Sequence, residues 1–301
     1  MPCPTELSKT DERLMGPIAL SLDSSPWAQP APPRSPPSDG DAADRSQLPL
    51  LSAKLKFRPG RSCKVQCARR RPLPGDPLMS QFVVHATPGS PYARAVMAAL
   101  EEKGADWRLA ALKPGTSRQQ PHVSRHPFGR MPVLDHGAFS LYETQAILRY
   151  LDRILPSPAL TPVDAKAAAR MDQVMNIVDW YLFQGCGNII TFQRIVRPML
   201  FGQLADEAAI LEAMPRAHVV FGELARLLGG ADWFGGDGMS LADLMAAPHF
   251  DFFAQTPEWR ELTAGHGNLV DWLARAGNRS SLKATTWTKV REMAAAVDLP
   301  Q

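Results

Sequence analysis

FVVHATPGSPYARAVMAALEEKG, residues 82–104, reads as a strand, a turn and a helix in succession. Phe82-Val83-Val84 is a compact apolar run of the kind a buried strand needs. Thr87-Pro88-Gly89-Ser90-Pro91 is a turn cluster, with Ser90 placed to cap a helix and Pro91 at its first position, a common pairing. Ala93, Val96, Met97 and Leu100 fall at i, i+3, i+4 and i+7, one face of a helix. Gly104 then stands where a helix end favours glycine. Working outward, Trp107 to Leu112 predicts a second strand. In HPFGRMPVLDHGAFSLYETQAI, residues 126–147, Met131-Pro132-Val133-Leu134 and Phe139 to Tyr142 flank Asp135-His136-Gly137 and predict a hairpin with a short glycine turn. Ala146, Ile147, Tyr150, Leu151 and Ile154 mark a second amphipathic helix.

Leu155-Pro156-Ser157-Pro158 and Thr161-Pro162 break that helix, so residues 156–163 read as a linker. Beyond it the pattern is helical. Met171, Val174, Met175, Val178 and Leu182 keep the 3.6 period, and Phe221, Leu224, Leu227 and Leu228 mark a later helix ahead of Gly229-Gly230. A mixed unit at 79–155 followed by an all-helical unit at 164–301 predicts two domains of an α+β protein.

The chain has 301 residues, 45% hydrophobic and 21% charged, ordinary for a globular protein. A net charge of +3 is too small to argue for a nucleic-acid partner. Four cysteines in this length exclude a disulfide framework and point to a reducing, cytoplasmic setting. No apolar run approaches the ~18 residues a membrane helix needs, and Gly16 to Leu22 lacks the basic flank of a secretory signal. Composition breaks near residue 78. Residues 1–78 hold 14 of the 28 prolines and three of the four cysteines, Cys3, Cys63 and Cys67. They carry net charge +4, leaving −1 for residues 79–301. Without apolar periodicity they cannot offset ordering entropy, and disorder is expected. Two readings of this tail stay open. It is a flexible arm with Arg69-Arg70-Arg71 as a weak anion patch, or it is upstream sequence ahead of a natural start at Met79. Cys63 and Cys67, with no His or second Cys pair nearby, fall short of the four ligands of a zinc site.

Other chemistries are disfavoured too. The seven histidines form no His-x3-His or HExxH pair, so no metal is expected. No Gly-x-Gly-x-x-Gly follows a strand. Cys186 stands alone in a helical region, where a cysteine is usually a small core residue.

The order of strand, serine-bearing turn, helix, strand, Met131-Pro132, hairpin and helix resembles a thioredoxin-like domain. Ser90-Pro91-Tyr92-Ala93-Arg94 leading to Leu100-Glu101-Glu102-Lys103-Gly104, His126 to Leu134 followed by Leu141-Tyr142-Glu143-Thr144, and Met239-Ser240-Leu241-Ala242-Asp243-Leu244 together resemble the soluble glutathione transferases, over residues 80 to about 285. The first two stretches look most like the plant phi class and its bacterial relatives, in which a serine supplies the catalytic hydroxyl. The resemblance implies a thioredoxin-like glutathione-binding domain, an all-α helical bundle carrying the electrophile site, glutathione as co-substrate, a role in detoxification, and a homodimer.

It also implies roles, each with a plainer alternative. Ser90 would donate a hydrogen bond to the glutathione thiolate at a helix N-terminus, where backbone N–H groups already favour negative charge. Otherwise it is a simple cap. Tyr92 is the alternative hydroxyl, or packs. Pro132 would be cis, turning the Met131 backbone outward to pair with the cysteinyl backbone of glutathione as an added strand does. A trans proline at an edge strand is the plainer case. Glu143 would take the γ-glutamyl ammonium and Thr144 its carboxylate, against simple capping and first-turn acidity. Arg118, with Arg130 nearby, falls where the family carries a cation for the glycine carboxylate, although Ser117 replaces a frequent histidine. Met175, Asn176, Asp179, Trp180 and Phe183 are the candidates for the electrophile pocket, against ordinary core packing. Ser240 and Asp243 form a capping pattern with a folding role. A non-catalytic scaffold protein and a glutathione-dependent isomerase or dehalogenase are the alternative functions.

Overall fold

The computed structural model describes residues 81–296. The expectations for residues 1–78 and a start at Met79 lie outside the described residues. Four strands, β1 (Phe82–Ala86), β2 (Trp107–Ala111), β3 (Val133–His136) and β4 (Phe139–Tyr142), form one sheet in the order β2-β1-β3-β4. The helices that follow or interleave them are α1 (Pro91–Glu102), α2 (His122–Arg125), α3 (Thr144–Ile154), α4 (Ala165–Asn176), α5 (Asn188–Thr191), α6 (Arg197–Phe201), α7 (Glu207–Leu228), α8 (Leu241–Phe253), α9 (Trp259–Leu262), α10 (Gly267–Gly277), α11 (Ser280–Ala284) and α12 (Trp287–Ala296). This is a thioredoxin-like unit followed by a helical one.

β1 and β2 run parallel, which requires a crossover, and α1 is that crossover. β3 and β4 are antiparallel to their neighbours. Val84 pairs with Leu109 on one side and Leu134 on the other, a buried row across the sheet. α1 is small and apolar almost all round: Ala93 and every residue from Ala95 to Leu100 are buried. It therefore packs on α3 on one side and on α8 and α11 on the other, joining the two units in one core. Lys103, at its end, has a fully buried ammonium that donates to Asp152 at 2.5 Å. Asp152 also accepts from the Leu160 N–H and the Thr161 hydroxyl. Burial opposes that charge, yet the Lys103 bond and these two donors hold the carboxyl below its ordinary range.

Three local details differ from the sequence reading. The hairpin turn is Gly137-Ala138, not Asp135 to Gly137. Gly137 has φ of 59°, the left-handed value its place at the head of a two-residue turn requires, so β3 continues through His136. The short helix α2 had no periodic signal of its own. The helix through Met171 and Val174 widens to π-type winding over Ile177–Gly187, although Val178 and Leu182 remain buried.

The helical unit is anchored by Asp243. Its carboxylate accepts from the backbone N–H groups of Phe234 and Ser240, from the Ser240 hydroxyl and from the Trp272 indole, all at 2.8–2.9 Å. Burial pushes its carboxyl above the usual range despite these donors. Cys186 is core, and burial pushes its thiol up to about 12.

His249 on α8 is buried under the aromatic rings of Tyr92 and Phe183. Its Nδ1 donates to the Met245 carbonyl at 2.8 Å, and Nε2 has no partner. Burial lowers its pKa from 6.5 to about 4, so the folded state holds it neutral while the unfolded chain protonates it below pH 6.5. The unfolded state then binds more protons, and stability falls as pH drops from 6.5 toward 4. Between pH 7.5 and 5 the expected loss is about 2 kcal/mol. Denaturant midpoints at the two pH values measure it. His249→Phe should flatten the slope by that amount; an unchanged slope would show that His249 is not the group responsible.

Candidate active site

Four backbone segments carry the residues expected of the site. The first is the β1–α1 turn. Ser90 caps α1 from extended backbone (φ −75°, ψ 120°), and its Oγ accepts from the Ala93 N–H at 3.2 Å. That bond uses a lone pair and leaves the hydroxyl proton free to donate outward. The N–H groups of the first turn add positive potential there. Gly89 has φ of 100°, and a Cβ built on it would stand 2.5–3.0 Å from three carbons of the Trp287 indole, so the ring of α12 lies directly against this turn.

The second segment is Gly129 to Pro132. The Met131–Pro132 bond is cis. Met131 Sδ accepts from the Thr87 N–H at 3.2 Å, tying this segment to the serine turn. Buried His122 donates to the Arg130 carbonyl at 2.7 Å. Arg130 itself is exposed. Arg118 belongs to the third segment, the loop before α2. It too is exposed, and its stem lies over Gly129, where a Cβ would meet it at 2.7 Å.

The fourth segment is the entry to α3. Glu143 is the one described non-glycine residue with positive φ, 71°. A bulky side chain rarely occupies that region, and such outliers concentrate at sites where geometry is over-determined. Its carboxylate is 59% exposed and 4.0 Å from His126 Nε2. Burial, helped by His122 and Arg130, holds His126 below its ordinary pKa, so at neutral pH Glu143 faces an uncharged ring. Thr144, at the first position of α3, is buried.

Tyr92 is committed elsewhere. Its hydroxyl donates to Asp179 at 2.6 Å, and its ring packs edge-on against Phe183 and His249. Burial, then the Asp179 bond, pushes the phenol far above its usual pKa. The expected electrophile residues divide. Asp179 and Phe183 face α1 through Tyr92. Asn176 is exposed, reached by the Gln145 amide at 3.4 Å. Trp180 is 67% exposed and stands out to solvent. Met175 is a correction: with no exposed surface it is a core side chain and lines no open pocket. Its burial fits the helical spacing that it shares with Met171, Val174, Val178 and Leu182. Conversely, Ser90 forms part of the wall of a narrow cleft that also includes Arg94 and Met97 of α1, Phe252 at the end of α8, and Trp287 of α12. Trp287 lies almost 200 residues from Ser90 in the chain, and nothing in its local sequence marks it.

Residues 84–159 match the glutathione S-transferase N-terminal domain family, and residues 190–279 match the glutathione S-transferase C-terminal domain family. A glutathione S-transferase of Hyoscyamus muticus is 29% identical over 213 residues, 69% of this chain and 97% of that protein. A probable glutathione S-transferase, GSTF2, of Oryza sativa subsp. japonica is 30% identical over 195 residues, 64% of this chain and 90% of the relative. The fold is shared with glutathione S-transferase I from mais, solved in complex with an atrazine glutathione conjugate: TM-score 0.61 and 24% identity, covering 70% of this chain and 98% of that one. The relatives are plant phi-class enzymes, and this chain belongs to the glutathione S-transferase family.

Proposed function

We propose that this chain conjugates the glutathione thiolate to a hydrophobic electrophile, with Ser90 as the hydroxyl that stabilises the thiolate. The observation that carries the reading is the Ser90 cap: its Oγ accepts from Ala93 N–H and keeps a proton for an anion at the end of α1. Glutathione lies across the four segments. Its cysteinyl backbone pairs with Met131 ahead of cis Pro132, its ammonium meets Glu143, its γ-glutamyl carboxylate meets Thr144, and its glycine carboxylate meets Arg118 with Arg130 beside it. Asp179 and Phe183, with Asn176 and Trp180 at the rim, face the electrophile. Tyr92 positions Asp179 and is not the thiolate donor. No step draws on a metal. We place the enzyme in a reducing cytoplasm, as a detoxifying homodimer whose pairing buries Phe128, now 67% exposed.

The test is retention on immobilised glutathione and conjugation of an activated aromatic halide. Retention without turnover of any electrophile would favour a scaffold role; turnover only of isomerisable substrates, or halide release that leaves no glutathione conjugate, would favour an isomerase or dehalogenase. Thr144→Ala sharpens the assignment. A hydrogen bond to a charged group contributes about 1.5–3 kcal/mol, so KM for glutathione should rise about tenfold or more while kcat changes little, the contact existing in ground and transition states alike. An unchanged KM would place the γ-glutamyl end elsewhere.

A further inference from the structure

We propose that Trp287 of α12 determines which electrophiles reach the sulfur, by closing the flank of the Ser90 turn against bulky groups. The inference rests on the reading of Ser90 as the hydroxyl beside the sulfur, and adds a residue from the far end of the described chain.

Three observations carry it. The indole lies flat on the Gly89 backbone, which lacks the side chain that would hold it off. The ring also makes an edge-on contact with Phe252, centroids 5.3 Å apart at 81°. It shares with Ser90 the wall of a narrow cleft. The cleft also has a polar side. Thr87 Oγ1 and Arg94 Nε are buried there without a partner, while the other nitrogens of Arg94 bind Asp251 and the Leu282 carbonyl. Thr87 Oγ1 and Arg94 Nε are both closed off from the cleft, so the surface beside Ser90 that an electrophile meets is the indole, which a flat ring can pass along. A rounded or branched group is blocked by it.

The exclusion is steric, so removing the ring should relax it selectively. A pocket's discrimination per small apolar group is about 1–3 kcal/mol, or tenfold and upward. Trp287→Ala should raise kcat/KM for a branched or bicyclic benzylic halide about tenfold relative to 1-chloro-2,4-dinitrobenzene. KM for glutathione should stay as it is. Trp287→Phe, which keeps a ring on Gly89, should retain most of the wild-type preference, and melting curves of both variants establish that they fold. A second readout needs no turnover: calorimetric affinity for S-naphthylmethylglutathione relative to S-methylglutathione should rise about tenfold in Trp287→Ala. If both ratios match the wild type in a folded Trp287→Ala, the ring does not border the electrophile and the proposal is wrong. If wild-type protein binds neither S-substituted glutathione, the glutathione reading itself fails, which is a separate result.

Discussion

Ser90→Ala should move the pH midpoint of conjugation upward by about one unit and lower the rate plateau above that midpoint about tenfold. A thiol of pKa ~8.5 is only about 3% thiolate at pH 7. A helix N-terminus and a donated hydroxyl that together lower it by ~2 units, about 2.7 kcal/mol, raise that fraction roughly 25-fold. The less basic thiolate is also a weaker nucleophile. With a Brønsted slope of ~0.45, taken from thiol–disulfide exchange, two units cost about 8-fold. Ionisation thus yields a net gain of only about 3-fold. The greater part of catalysis must come from holding thiolate and electrophile together, where effective molarities are large. Losing Ser90 removes one charge-assisted hydrogen bond, which accounts for the shifted midpoint. The lowered plateau separates positioning from pKa tuning, because tuning alone would leave the variant faster at high pH. Glutathione affinity should fall much less, since Met131, Glu143 and Thr144 are untouched. Tyr92→Phe is the counter-test. Its hydroxyl is already given to Asp179, so the midpoint should hold. If Tyr92→Phe abolishes activity while Ser90→Ala changes neither midpoint nor plateau, Ser90 is only the cap.

Asp243→Ala should have the largest effect on stability. Four buried donors lose their acceptor at once: two backbone N–H groups, the Ser240 hydroxyl and the Trp272 indole. Each orphaned donor costs about 1–3 kcal/mol where water cannot reach it, less whatever local relaxation recovers. A net loss of about 3–5 kcal/mol is expected, or roughly 10–15 °C in melting temperature for a body of this size. Ser240→Ala removes one donor and leaves the carboxylate its other partners, so about 1 kcal/mol is expected. Calorimetric scans of both variants check the ratio. The folded fraction of Asp243→Ala should keep the wild-type KM for glutathione; a raised KM would mean that Asp243 also shapes the site.

The element boundaries on which the candidate site residues sit were legible in the sequence, because local chemistry leaves a mark there, while the roles proposed for those residues came from the family resemblance. Ser90 ahead of Pro91, Pro132 ahead of an apolar run, and Glu143-Thr144 at a helix start all carry such marks. Periodicity also recovered the buried faces: Val96, Leu100, Ile147, Leu151, Val174 and Val178 are all without exposure. It was right at Met175 too, which it put on the buried face of its helix; the pocket role given to that residue came from the resemblance.

What the sequence by itself determined is the order of strands and helices, the division into a mixed and a helical unit, and the serine, proline and acid–hydroxyl positions, because each follows from short-range sterics and hydrogen bonding. Only the tertiary structure decided which hydroxyl is free. Tyr92 and Ser90 are two residues apart, and the sequence favours Ser90 with Tyr92 as the alternative. An aspartate 87 residues further along accepts the tyrosine's hydrogen bond, while Ser90 accepts from its own helix and its hydroxyl proton stays free to donate. The tertiary structure likewise placed Trp287 on Gly89 and left His126 neutral beside Glu143. These are contacts between distant segments, set by how α1 is enclosed, and no local pattern encodes them.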